Sequence, residues 1–206
     1  MTVEFELSDE EGEYLVRLAR GAIESRLRSG RAVAPDDASE HLRTECGVFV
    51  TLNLVEGDSH RLRGCIGLPY PTKPLVDAVV DSAVNAALRD PRFPQVTFGE
   101  MGSIAVEVSV LTPPEVVSVE RPEDYPGEIE VGRDGLIVSR GGNRGLLLPQ
   151  VPVEWGWDAE EFLSQCCVKA WLPPDAWLLP GTEVSRFQAI IFSEEGPRGE
   201  VKRVEL

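Results

Sequence analysis

Hydrophobic positions along the chain switch between a helical and an alternating period, and the switches mark the elements. Tyr14, Leu15, Leu18, Ala22 and Leu27 recur at helical spacing behind Ser8-Asp9-Glu10-Glu11, a serine with glutamate three residues later. Such a capping box opening an apolar stripe predicts an amphipathic helix over residues 8–29. A polar connection with Pro35 and Asp36-Asp37 follows. Val48, Phe49, Val50 and Leu52 then mark a strand over residues 46–55. Glu56-Gly57-Asp58-Ser59 supplies turn chemistry, and a second strand returns over 61–67. Leu75, Val76, Val79, Val80, Ala83, Ala87 and Leu88 give a helix over 75–89, with Asp77, Asp81, Asn85 and Arg89 on its solvent stripe. Asp90-Pro91 ends it, because the residue before proline is pushed out of helical geometry.

In the second half the pattern is more broken. Val106, Val108 and Val110 alternate within a strand over 104–111, before a proline-rich acidic stretch with one short strand expected at 128–131. Two short apolar runs flank Arg140-Gly141-Gly142-Asn143, a hairpin signal. Asp158-Ala159-Glu160-Glu161 opens a helix to about Ala170, and a strand over 184–192 precedes a polar tail. Helices and strands intermix without regular βαβ units. This predicts an α+β fold with a mostly antiparallel sheet and flanking helices, built as one domain over 1–206 with a larger and a smaller lobe enclosing a cleft.

Composition narrows the function. The 206 residues carry 20 basic and 35 acidic side chains, a net charge of -15, with no basic run. Nucleic-acid affinity comes largely from clustered cations displacing counterions, so nucleic acid is not an expected partner. No apolar run approaches the roughly 20 residues of a membrane span, and no signal peptide opens the chain. The four cysteines form no disulfide framework and no CxxC pair. A cytoplasmic protein without a metal site or cofactor is the expectation. Glutamate (24) far outnumbers aspartate (11), a bias that suits a thermophile.

The densest chemistry lies in Arg61-Leu62-Arg63-Gly64-Cys65-Ile66-Gly67. In a regular strand Arg61, Arg63 and Cys65 share one face, with Leu62 and Ile66 on the other. A guanidinium beside a thiol favours the thiolate, the reactive form. Hairpin register leaves two arrangements open. A two-residue Gly57-Asp58 turn sets Val50 opposite Cys65 and buries the thiol, whereas a shift by one sets Thr51 or Asn53 beside it and makes a polar site. His41 and His60 both read as surface residues, which leaves Cys65 without an evident imidazole base.

Leu62-Arg63-Gly64-Cys65-Ile66-Gly67 resembles the signature of the AMMECR family. Further matches follow in order: Asp90-Pro91-Arg92-Phe93-Pro94, Glu107-Val108-Ser109-Val110-Leu111, Gly145-Leu146-Leu147-Leu148-Pro149-Gln150-Val151, Glu154-Trp155-Gly156-Trp157-Asp158 and Lys169-Ala170-Trp171-Leu172-Pro173-Pro174. The family usually has glycine where Trp171 stands. The resemblance covers residues 14–192 and implies an α+β fold. It also implies a pathway shared with Memo-like and radical-SAM proteins, either of which would be a partner. Together the separated motifs point to one cleft in which Arg63, Asp90, Arg92, Gln150 and Glu154 bind a small anionic ligand or a protein partner beside Cys65. The alternative is an enzyme with Cys65 as nucleophile, activated by Arg63.

Overall fold

The computed structural model describes residues 5–31, 38–57 and 59–204. Pro35, Asp36, Asp37 and Asp58, which figure in the expected connection and turn, lie outside the described residues. The chain divides into two compact units, Met1–Leu111 with Ile190–Glu205, and Thr112–Ala189.

In the first unit, helix α1 (Asp9–Ser29) begins at the expected capping box: the Glu11 N–H donates to Ser8 Oγ, and Glu11 accepts the Ser8 N–H. It ends at Gly30, whose left-handed φ of 75° suits a residue without Cβ. Strands β1 (Gly47–Glu56) and β2 (Ser59–Leu68) form an antiparallel hairpin, with β3 (Ile104–Leu111) antiparallel on the other side of β1. Helix α2 (Leu75–Leu88) starts at Pro74. Its Asp77, Asp81 and Arg89 are exposed, as the charge stripe predicts. Alternation assigns the faces. Val48, Val50 and Leu52 of β1 and Val106, Val108 and Val110 of β3 bury against Leu15, Val16, Ala19 and Ile23 of α1 and Leu75, Val76, Val79 and Ala83 of α2. Phe49, Thr51, Asn53, Glu107 and Ser109 take the other face, and all are partly exposed.

A buried ion pair joins α1 to the end of the strand β7 (Glu183–Glu194) within this unit. Glu194 closes β7, receives Arg20 Nε at 2.7 Å and the Val106 N–H at 3.0 Å, and is almost fully buried. Arg20 also donates to the Met101 carbonyl at 3.2 Å, so both buried charges are hydrogen-bonded. The expected polar tail contains β8 (Val201–Val204), which pairs with β7.

In the second unit, β5 (Asp134–Arg140) and β6 (Asn143–Leu147) make the expected hairpin about Gly141-Gly142, with Gly141 at φ 61°. The first half of β7 pairs with β5 and with the two-residue β4 (Glu115–Val116). The strand expected at 128–131 is absent. A 3-10 turn, Pro122–Glu128, occupies the approach, and its prolines remove ladder donors. Helix α3 (Gln150–Trp155) was not expected. Six residues with a proline give no periodic signal. Helix α4 (Ala159–Lys169) buries Phe162, Leu163, Cys166 and Cys167 against Leu136, Val138 and Val184. Both units combine antiparallel strands with packed helices, an α+β fold. Among the described residues no helix is long and apolar enough to cross a membrane.

Candidate functional site

The β1–β2 hairpin contains both registers that its sequence allows. Near the turn Glu56 faces Ser59, Leu54 faces Arg61 and Asn53 faces Leu62; beyond it Leu52 faces Gly64 and Thr51 faces Cys65. Arg63 is the extra residue of a β-bulge, which advances the pairing by one and reverses the face of every later side chain. Cys65 therefore leaves the core face and stands beside Thr51, whose hydroxyl donates to its sulfur at 3.3 Å. The thiol is partly exposed.

The bulge corrects two expectations. Arg61, Arg63 and Cys65 do not share a face: Arg61 lies opposite core-packed Leu54 and is exposed, 3.6 Å from Glu56. Leu62 is exposed rather than core-facing, whereas Ile66 packs partly against the core. Gly64 shows why a glycine stands beside the thiol. A Cβ there would lie 2.3 Å from the Ala86 carbonyl oxygen, so α2 approaches β2 too closely for any side chain.

Arg63 is buried, and among the described residues its hydrogen bonds run to the segment after α2. Nε donates to Glu100 at 3.0 Å, Nη1 to the Pro94 carbonyl at 2.8 Å and Nη2 to the Gln95 carbonyl at 3.4 Å. Its carboxylate partner is thus Glu100, and none of these bonds reaches the Cys65 thiol. Burial works against the charge of Glu100, but the Thr97 N–H and the Arg63 guanidinium outweigh it and lower its pKa below the ordinary glutamate value.

Asp90 and Arg92 act on the Cys65 peptide instead. Arg92 donates Nε to Asp90 Oδ1 at 3.0 Å and Nη2 to Oδ2 at 2.7 Å, a bidentate pair. Asp90 Oδ2 also accepts the Cys65 N–H at 2.9 Å, and Arg92 Nη2 reaches the Cys65 carbonyl at 3.2 Å. The Arg92 guanidinium, helped by the backbone N–H groups of Cys65 and Arg92, holds the Asp90 carboxyl well below the usual carboxylate range against the opposing effect of burial. Asp90 is buried, whereas the Arg92 side chain stays 54% exposed. Among the described residues Arg92 Nη1 has no protein acceptor.

The remaining predicted residues belong to the second unit. Gln150 opens α3 and is partly exposed; Glu154 lies on the same helix and is exposed. Beside them the rings of Trp155 and Trp157 stack 6.0 Å apart at 18°. His41 is a surface residue hydrogen-bonded to Glu11 at 2.8 Å, and His60 is exposed. Cys46, Cys166 and Cys167 are buried, and burial pushes the Cys46 and Cys166 thiols up to about 12. Among the described residues no three His, Cys, Asp or Glu side chains are grouped to hold a metal ion. Thr51 is the neighbour that the shifted register offered for Cys65, and the bulge selects it over Val50. One further member of this face, Glu107, was missed from sequence as a site residue. Glu107 was signalled by the alternation of Val106, Val108 and Val110, which turns it to the face opposite the core.

Comparison with known proteins agrees with the motifs. The AMMECR1 family profile matches residues 16–192. A protein of Thermococcus gammatolerans is 56% identical over 98% of this chain and 99% of its own length, and one of Methanothermobacter thermautotrophicus is 57% identical over 92% and 97%. The crystal structure of an uncharacterised Pyrococcus horikoshii protein, 55% identical, superposes with a TM-score of 0.82 over 97% of this chain and 99% of that one. With a profile match over most of its length and whole-length relatives above half identity, the chain belongs to the AMMECR1 family.

Proposed function

We propose that this protein binds a small anionic ligand on the sheet face beside Cys65, with Arg92 as the cation that receives it. One observation carries the reading. Arg63 is buried and donates from all three of its nitrogens to the protein, but Arg92 is fastened to the Cys65 peptide with no acceptor for Nη1 among the described residues and more than half its side chain in solvent. A guanidinium fixed in this way needs little further ordering to bind an anion. The ligand would serve a pathway shared with Memo-like and radical-SAM proteins, as the family resemblance implies. A protein partner is the other expectation, and in the second unit exposed Val153 and Trp155 near Glu154 supply apolar surface for one.

Charge-selective labelling of Cys65 tests the anion site. Sulfonatoethyl and trimethylammonioethyl methanethiosulfonates differ in charge, and each rate is normalised to that with 2-mercaptoethanol. A chain of net charge -15 should favour the cation. The proposal requires the anionic reagent to win, and Arg92→Ala to remove that advantage. A cation preference unaffected by Arg92→Ala would sink it.

A second reading has its own support. The Thr51 hydroxyl donates to the Cys65 sulfur, and hydrogen bonding to the charged form favours a thiolate. If Cys65 is a nucleophile, Thr51 and the nearby Arg92 assist it, and Arg63 does not.

A further inference from the structure

Cross-strand pairing aligns three side chains on one face of the first unit's sheet. Cys65 of β2 faces Thr51 of β1, and Thr51 faces Glu107 of β3. Directly paired residues project to the same side of a sheet, and the Thr51–Cys65 hydrogen bond confirms that side for the first two. Val106 and Val108, which flank Glu107, are buried in the core on the opposite side. At the usual strand spacing, Glu107 sits about 10 Å from Cys65 across the sheet.

Glu107 differs from the other carboxylates near this site. Asp90 and Glu100 are both satisfied by arginine and backbone N–H groups. Glu107 is partly buried and has neither a hydrogen bond nor an ion pair among the described residues. A carboxylate withdrawn from water without a donor is unfavourable, and such groups are retained where something else supplies the donor. Burial raises its pKa above the ordinary glutamate value, with the charge of His60 opposing. In the pairing grid Thr51 stands directly beside it, with Phe49 and Asn53 diagonal to it on β1 and Ser109 two residues on along β3, and Glu107 keeps part of its surface in solvent.

We propose that Glu107 is the second recognition group of this site, accepting an ammonium or amide donor from the same ligand whose anionic end meets Arg92. The ligand class is then a compact zwitterion or amide-bearing acid, laid across β2, β1 and β3 over Thr51. This rests on the anion site proposed above and narrows what it takes. A monoanion of equal length would satisfy Arg92 and leave Glu107 without a donor.

Two measurements test it on the intact protein, both read as protection of Cys65 from iodoacetamide. In the unmodified chain, 6-aminohexanoate should protect at a concentration about threefold lower than hexanoate, the advantage of one half-exposed ion pair. In Glu107→Gln that preference should vanish while protection by hexanoate persists; Ser109→Ala should keep the preference. Equal protection by the two probes in the unmodified chain would overturn the role of Glu107 and leave the Arg92 site standing. Protection by neither would overturn both.

Discussion

Asp90 holds Cys65 as a neighbouring strand would. Its Oδ2 accepts the Cys65 N–H at 2.9 Å while the Arg92 guanidinium, clamped to the same carboxylate, returns a hydrogen bond to the Cys65 carbonyl at 3.2 Å. Among the described residues β2 pairs with β1 and with no other strand, so its outer side would otherwise present unpaired peptide groups. A side-chain pair that satisfies both groups of one residue blunts that edge and fixes the backbone of the thiol.

Asp90→Ala should therefore lower stability by about 1–3 kcal/mol in urea unfolding at pH 7, since it leaves the Cys65 N–H and the Arg92 head without their acceptor. The effect carries a pH signature. The Asp90 pKa is depressed by folding, so its contribution is present above the unfolded value of about 3.9 and is lost as pH falls below it. The gap between the unmodified chain and Asp90→Asn should be full at pH 6 and narrow below pH 4. A gap that widens in acid would contradict the assignment.

Gly64→Ala should be severely destabilising. The added Cβ meets a backbone oxygen, Ala86 O at 2.3 Å, and not the movable end of a side chain. Helix α2 would have to shift, at a cost of about 1–3 kcal/mol or more for overpacking. Gly21→Ala on α1, with nothing within 4 Å of its Cβ, should be neutral or slightly stabilising. Thermal melts of the two variants compare them directly, and equal melting temperatures would refute the close approach of α2 to β2.

Both the helices and the antiparallel strands of the first unit were legible because their stripes match a single period: Ser8 to Glu11 marks one boundary and Pro74 another. The bulge at Arg63 was not legible. A bulge leaves the composition of a strand unchanged while inverting its faces beyond one point, so Arg61-Arg63-Cys65 looked like a common surface. Partners set by tertiary contact were equally hidden. Arg63 could have met any carboxylate, and Glu100 lies 37 residues away. The Asp90-Pro91-Arg92 motif was visible, but that it serves the Cys65 peptide follows only once α2 has carried it back to β2.

Trp171→Gly should stabilise the protein. Trp171 follows α4 with φ 60°, a left-handed conformation in which a Cβ is unfavourable, and its side chain is 91% exposed. The Leu172 N–H returns to the Cys167 carbonyl at 2.9 Å, closing the helix end around it. The glycine usual in the family would adopt this geometry freely and lose almost no packing. A gain of about 1 kcal/mol in urea unfolding is expected, the inverse of placing a side chain where φ is positive. A loss instead would mean that the indole makes a stabilising contact.

The four cysteines should separate sharply in reactivity. Cys46, Cys166 and Cys167 are buried, and burial raises all three pKa values, so the native protein should present iodoacetamide with Cys65 alone. Mass-spectrometric mapping of native alkylation should find one modified site, with the other three appearing only in denaturant. Thr51→Val removes the hydroxyl that donates to the sulfur and keeps the branched shape. If that hydrogen bond assists the sulfur as nucleophile, the variant should react several-fold more slowly, the factor that one hydrogen bond of about 1 kcal/mol corresponds to. Arg63→Lys should leave the rate unchanged, since that guanidinium is committed to Glu100 and the Pro94 and Gln95 carbonyls. Slowing by Arg63→Lys with no effect of Thr51→Val would restore Arg63 as the activating group and overturn the part assigned to Thr51.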